Sequence, residues 1–342
     1  MSSIHCYTSF TFSYLSRALI LSRTLKAAHP DWTFWALMVD EPPPGQDFTA
    51  ALAEFDRIIY AKDLGLDQFQ AWLFKHDIVE ACTAVKGRMM QHLMEEGADK
   101  VVYLDPDIAV FHPLTNVVDT LDRYSIILTP HQVTPNDDEG AVRDNEIAAL
   151  QYGVFNLGFA AARNDANGRA FADWWARSLY MACYDDTANG IFTDQKWCDL
   201  VPALFDGVFV ERDPGCNVAS WNLSKRTISI QADGSILVNG SPLKFYHFTK
   251  INSAGDIMTD KYVGNRLDAL EVWNWYKRTL AAVDLPPIPK GYWHYGVYEN
   301  GIEIKKTARL MLRTRTDLKA AFSNPFGLEF FNWLNAENPD YV

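Results

Sequence analysis

The chain has 342 residues, 48% apolar and 22% charged, with 31 basic and 43 acidic residues for a formal net charge of −12. That length suggests about two domains, or one large α/β domain with an extension, and the acidic balance argues against general nucleic-acid binding. The five cysteines (Cys6, Cys82, Cys183, Cys198 and Cys216) are scattered and form no C-x-x-C, which fits a reducing compartment and excludes a disulfide framework or zinc knuckle.

Ile4 to Phe10 reads as a first strand, and Tyr7 and Thr8 near its end are candidate ligand-contacting residues. No signal-peptide pattern precedes it and no apolar run approaches a bilayer span, so the expectation is a cytoplasmic protein. Tyr14 to Ala28 has helical spacing of apolar residues, with Pro30 closing it. Thr33 to Val39 is a second apolar strand ended by Asp40, a residue placed either to hold a base or ribose or to make a turn. Arg57 to Ala61 is a short third strand. The β-α-β-α-β alternation implies parallel strands joined by right-handed crossovers.

Gln68 to Glu96 is mostly helical and carries Lys75, Lys86 and Arg88, with Gly97 as its stop. It leads into Val101-Val102-Tyr103-Leu104-Asp105-Pro106-Asp107-Ile108-Ala109-Val110-Phe111. An apolar run of this kind is the pattern of a buried strand. Two carboxylates one residue apart have no cheap place inside it, because an unpaired buried carboxylate costs several kcal/mol or takes up a proton. Residues i and i+2 of an extended segment share a side, and Pro106 removes a ladder donor. Asp105 and Asp107 are therefore placed at a strand's carboxyl end, where a hard cation such as Mg²⁺ or Mn²⁺ can be held.

Beyond this stretch, Pro113 opens a short helix and Ser125 to Thr129 is another strand. Thr134 to Asp144 is polar and turn-rich, a candidate mobile loop. Phe155 to Ala162 is an apolar strand interrupted by Asn156 and Gly158, and Ala166 to Met181 is a helix whose Trp174 and Trp175 suit the core. The region from Tyr184 to Arg226 has little periodicity but holds Asp185-Asp186 and Asp194-Gln195. Asp194-Gln195 suits either a site or a helix start. Thr227 to Val238, with Asp233-Gly234 between alternating runs, reads as a hairpin. Phe245 to Lys250 is an apolar strand with His247 inside it, followed by a helix over Lys261 to Ala282. Pro286 to Pro289 marks a linker. Lys305, Lys306, Arg309, Arg313, Arg315 and Lys319 then form a basic, apolar-interleaved tail. That tail reads either as a solvated helix face or as a peripheral contact with an anionic membrane.

The strand Val-Tyr-Leu-Asp-x-Asp, about a hundred residues after a β-α-β opening, resembles the D-x-D motif of GT-A-fold glycosyltransferases. Phe155-Asn156-Leu157-Gly158, Asp194-Gln195 and His247 with Lys250 behind it follow in the order of the retaining, glycogenin-like glycosyltransferase family 8. The resemblance covers about residues 1 to 280. It departs at Thr249-Lys250-Ile251-Asn252, where the family has Lys-Pro-Trp after the histidine, and in the unfamiliar stretch from Cys183 to Asn222.

The resemblance implies an α/β GT-A fold, Rossmann-like, with a mostly parallel mixed sheet flanked by helices. Residues 1–285 would form the transferase domain and 286–342 an aromatic and basic extension. It implies a metal-dependent hexosyl transfer from a nucleoside-diphosphate sugar, UDP-linked in the family's habit, to a glycan or glycolipid acceptor. Asp105, Asp107 and His247 are the implied metal ligands, and an oxygen and imidazole set favours Mn²⁺ slightly over Mg²⁺. The implied donor-binding set is Tyr7, Thr8, Asp40, Lys86, Asp105 and Lys250. Asn156, Asp194 and Gln195 would lie near the transferred sugar, Gln195 at its reacting face. In an inverting enzyme Asp194 or Asp186 would instead be the base.

Three other classes compete. A haloacid-dehalogenase-type phosphatase also uses D-x-D but expects Thr or Val where Ala109 stands. A sugar-phosphate nucleotidyltransferase wants a glycine-rich basic loop after the first strand, where Thr8-Ser9-Phe10-Thr11-Phe12 has neither. A silent glycan-binding scaffold would show neither turnover nor metal binding.

Overall fold

The computed structural model describes residues 2–342. Its centre is a seven-stranded sheet. Five strands are β1 (Ile4–Phe10), β2 (Thr33–Met38), β3 (Arg57–Tyr60), β4 (Lys100–Leu104) and, after the short β5 (Ile108–Val110), β6 (Ile126–Pro130). The sheet is completed by β7 (Phe155–Arg163) and an edge strand Val208–Val210, in the order 208–210, β6, β7, β4, β1, β2, β3. Among the described residues, β7 is the strand of this sheet that runs against its neighbours. The mixed, mostly parallel α/β sheet flanked by helices is the expected fold class.

The sheet is covered on both faces, which is why β4 and most of β7 are continuously buried. The pleat divides them. Val101 and Tyr103 enter one hydrophobic core with Met89, Met90 and Trp175, and Val102 and Leu104 enter a second with Phe10, Phe34 and Leu121. A third core lies around Tyr246, Phe248 and Trp273.

The mostly helical segment from Gln68 to Glu96 is three helices: Phe69–Phe74, Ile78–Ala84 and Lys86–Glu95. Asp77 starts the second with a capping box, accepting from Val79 and Glu80 while its own N–H reaches Glu80 at 2.8 Å. A strong N-cap inside a helical pattern starts a new helix, and helical spacing alone does not show the break. The late helix likewise divides into Ala254–Val263 and Leu267–Ala281 at Gly264, whose φ of +54° and ψ of −124° suit glycine alone. The turn-rich segment Thr134 to Asp144 is anchored rather than free. Asp144 pairs with Lys261 and accepts from Tyr262 at 2.7 Å, and Asn136 N–H is bound by Glu146.

The chain after Pro289 packs back onto the first core through Trp293, Tyr298, Leu312, Phe326 and Phe330, the last two edge-on to Phe74. Arg309 is 4% exposed and donates to Phe74 O (3.0 Å), His76 O (2.7 Å) and Tyr295 O (2.8 Å). Arg313 pairs with the buried Glu80, and Arg315 pairs with Asp317. Lys305 donates to Asp340 O at 3.2 Å, so four of the six tail cations serve contacts within the chain, and this packing lends the membrane-contact expectation no support. Among the described residues no helix is long and apolar enough to cross a membrane.

Candidate functional site

The site forms where β4 ends. Asp105 N–H still continues the ladder to Gly158 O at 2.8 Å. The chain then turns, with Ile108 N–H closing on Asp105 O at 3.1 Å, and leaves as β5. The strand Phe245–His247 pairs antiparallel with β5, setting His247 opposite Ile108, and Phe248 N–H is held by Asp107 O at 2.8 Å. The two aspartates therefore converge through a tight turn rather than through extended i, i+2 geometry, and a strand some 140 residues later supplies the imidazole between them.

His247 Nε2 lies 3.0 Å from Asp107 Oδ1 and 3.6 Å from Asp105 Oδ2, and one ligand atom from each of the three residues lies within 4.8 Å of the other two. Asp105 Oδ1 is engaged by Tyr103 OH and, at 3.1 Å, by Lys86 Nζ, which leaves Oδ2 turned to the histidine. Two carboxylate oxygens and one imidazole nitrogen at this spacing fit a hard or borderline divalent cation such as Mn²⁺ or Mg²⁺. Close approach is enforced at Gly158, where a Cβ would stand 2.5 Å from His247 Nδ1.

These residues face a cavity of about 600 Å³, also lined by Lys86, Asn156, Asp194, Gln195 and Lys250, a size usual for small-molecule sites. Lys86 opens the helix Lys86–Glu95. Gly87 lets that helix press on the helix Ala166–Met181, since a Cβ there would lie 2.6 Å from Ala176 N. Lys86 Nζ reaches Asp194 Oδ2 at 2.9 Å and Leu157 O at 3.1 Å, and lies 4.2 Å over the Tyr103 ring. Burial opposes its charge, but Asp105 and Asp194 more than offset that and hold the proton on more firmly than usual. Burial pushes the Asp194 carboxyl upward, with Lys86 opposing. Burial also acts on Asp107 and His247, yet each charge outweighs it for the other: Asp107 is held below the usual carboxylate range and His247 above the usual imidazole. Burial takes His131 down to about 4, so that ring is neutral.

Not every expected residue reaches the cavity. β1 runs on through Phe10, so Ser9, Phe10 and Thr11 form the wall, while Tyr7 and Thr8 stay inside the sheet. Tyr7 pairs with Tyr103 in register and donates from its hydroxyl to Lys86 O at 2.7 Å. Thr8 is fully buried. Asp40 also lies off the cavity wall. Its carboxylate accepts the backbone N–H groups of His294 (2.8 Å), Glu41 (3.0 Å) and Phe12 (3.4 Å), joining the chain's two ends. Asp186 accepts from Asn189 at 2.9 Å, and of the Asp185-Asp186 pair it is Asp185 that lines the cavity. Sequence reasoning missed Tyr103, His131, Asn217 and Trp221. Trp221 stands edge-on to His247 with centroids 5.2 Å apart. Tyr103 stands inside the Val-Tyr-Leu-Asp motif but reads there as one more strand aromatic, and sequence reasoning assigns the other three no role.

No family model matches the sequence. Two Bacillus subtilis (strain 168) proteins, each described as uncharacterized, are similar to it. YfnF is 27% identical over 177 residues, 51% of this chain and 57% of YfnF. YfnD is 27% identical over 174 residues, 50% of this chain and 53% of YfnD. The match therefore spans about half the length of these curated relatives. A solved structure of the galactosyltransferase LgtC with donor and acceptor sugar analogues has 14% identity and a TM-score of 0.46, covering 84% of this chain and 98% of LgtC.

Proposed function

We propose that the chain is a metal-dependent glycosyltransferase. In this reading it moves a hexosyl group from a nucleoside-diphosphate sugar, UDP-linked in first place, to a glycan or lipid-linked acceptor with retention. Residues 1–285 would be the transferase domain of GT-A type and 286–342 an extension bracing it. The single observation that carries the reading is the meeting of Asp105, Asp107 and His247 at one point on the wall of a cavity of about 600 Å³.

In this reading Asp105, Asp107 and His247 hold Mn²⁺ or Mg²⁺, and the bound ion would neutralise charge on the departing diphosphate. Lys250 adds positive charge on the same wall. Lys86 keeps Asp105 oriented through Oδ1 and holds Asp194 at the sugar side, where Gln195 faces the cavity. Retention is favoured because the candidate bases for inversion are engaged: Asp194 by Lys86 and Asp186 by Asn189. A cytoplasmic location fits the five free cysteines.

Isothermal titration of UDP, GDP, CDP and dTDP, with and without Mn²⁺, tests the proposal on the intact protein and on Asp107→Ala. One nucleotide binding only with metal, and lost in the variant, is the expected result. No nucleotide binding under any condition would refute it and bring the silent-scaffold reading forward.

A further inference from the structure

Asn156 lines the cavity beside His247, and its amide is fully engaged. Three groups face its Oδ1: Gly158 N at 3.2 Å, Asn217 Nδ2 at 3.0 Å and His247 Nδ1 at 3.2 Å. The first is a backbone N–H, which can only donate, and it identifies the atom it faces as the amide oxygen. An amide oxygen can only accept. Nδ1 of His247 therefore carries a proton, and Nε2 is the nitrogen turned to Asp105 and Asp107.

The other end of the amide is equally determined. Asn156 Nδ2 faces His131 Nε2 and Gln195 Oε1, each at 3.3 Å. His131 Nδ1 lies 3.3 Å from Val154 O, which can only accept, so the neutral ring donates there and its Nε2 accepts from Asn156. Asn217 is fully buried and held in the left-handed region at φ +52°. Its Nδ2 also donates to Thr129 Oγ1 at 3.2 Å, and that hydroxyl is free to accept because its own proton points to Asn156 O at 3.3 Å. Asn222 Nδ2 holds the Asn217 carbonyl at 3.0 Å. The Asn156 amide thus donates both its protons and receives three donors, which leaves nothing for a sugar hydroxyl.

We infer that Asn156 is a positioning residue and not a sugar ligand. With Asn217 and His131 it forms a hydrogen-bond relay that keeps the His247 proton on Nδ1 and aims Nε2 at the point shared with the two carboxylates. The assignment rests on the metal-site reading above, and it gives the unfamiliar stretch before Asn222 a part in the site, because that stretch delivers Asn217.

The test combines calorimetric Mn²⁺ titration of the intact protein with nitrogen NMR of its imidazoles. His247 is expected to carry a proton on Nδ1 at neutral pH, both without metal and with diamagnetic Mg²⁺. Loss of such an outer partner typically weakens metal affinity about 10–100-fold, which is the expectation for Asn156→Leu, while Asn156→Asp keeps the acceptor and should stay within about threefold of wild type. Equal Mn²⁺ affinity in wild type and Asn156→Leu, or an unprotonated Nδ1, would overturn the inference. Should Asn156→Leu fail to fold, Asn217→Asp takes its place: it tolerates the left-handed backbone but lacks the donor. Weaker Mn²⁺ binding there supports the relay and unchanged binding refutes it. If the wild type binds no Mn²⁺, the metal reading fails by itself, and the His247 Nδ1–H resonance of wild type against Asn156→Leu decides the relay: a shift supports it and an unchanged resonance refutes it.

Discussion

Lys86 and Arg309 are buried cations on helices packed into one hydrophobic core, 2% and 4% exposed, yet their surroundings differ in kind. Lys86 is ringed by carboxylates. It binds Asp105 and Asp194 directly, and Asp107 lies just beyond with His247. Among the described residues no carboxylate pairs with Arg309; three backbone carbonyls receive its guanidinium, which also lies 4.8 Å over the Trp293 ring. Carbonyl dipoles that end helices and turns are fixed and neutral, so the Arg309 cluster is complete as it stands. The Lys86 cluster has an excess of negative charge on one side of a cavity and can accept another cation. One burial holds the chain together and the other prepares a site.

The strongest way to break the comparison is Lys86→Met. Asp194 and Asp105 would lose their counter-charge, and removing one partner of a buried pair costs about 3–5 kcal/mol. Urea unfolding should show that loss, with much of it recovered in Lys86→Met/Asp194→Asn because the stranded charge is gone. A single variant as stable as wild type would mean that the carboxylates do not need Lys86.

Arg309→Met should be somewhat milder, about 2–4 kcal/mol, since it strands neutral carbonyls rather than charge. The same variant sharpens the contrast: proteolysis within residues 290–342 should accelerate while Mn²⁺ affinity stays close to wild type. A parallel loss of metal binding would show that the two clusters are not separable.

An effect read through pH alone concerns Asp40, which ties His294 of the extension to the end of β2. Burial, against three accepted N–H groups, lifts its carboxyl to about 7 from 3.8. With a folded value above the unfolded one, the protonated form favours folding. That contribution is whole below pH 3.8 and is lost as pH rises through about 7. Asn in its place keeps the oxygen that accepts from Glu41 and His294. Stability to unfolding measured from pH 4 to 8 should therefore decline less steeply in Asp40→Asn than in wild type. Parallel curves for the two proteins would refute the raised value.

Much of the fold was legible because burial leaves a local trace. β1 and the helix Ala166–Met181 have the bounds their patterns predict, and β4 and β7 lie on their apolar runs. Breaks through which periodicity persists were not legible, as at Asp77 and Gly264. In the first case the cap chemistry, and in the second the backbone angles, decide. Tyr7 and Thr8 lie near the end of a strand whose bounds its pattern predicts, but those bounds do not show that the cavity wall begins only at Ser9.

By itself the sequence determined the alternation of strands and helices, and a pair of aspartates where a buried strand had to end. Composition and period encode burial residue by residue, so these features need no knowledge of distant partners. Only the tertiary structure decided which charges share a space. His247 reaches Asp105 and Asp107 through the pairing of its strand with β5, and Lys86 reaches Asp194 through a helix contact that Gly87 permits. Asn217 reaches Asn156 across 61 positions of the chain. Such meetings depend on register and crossover between segments far apart in sequence, and no local pattern carries that information.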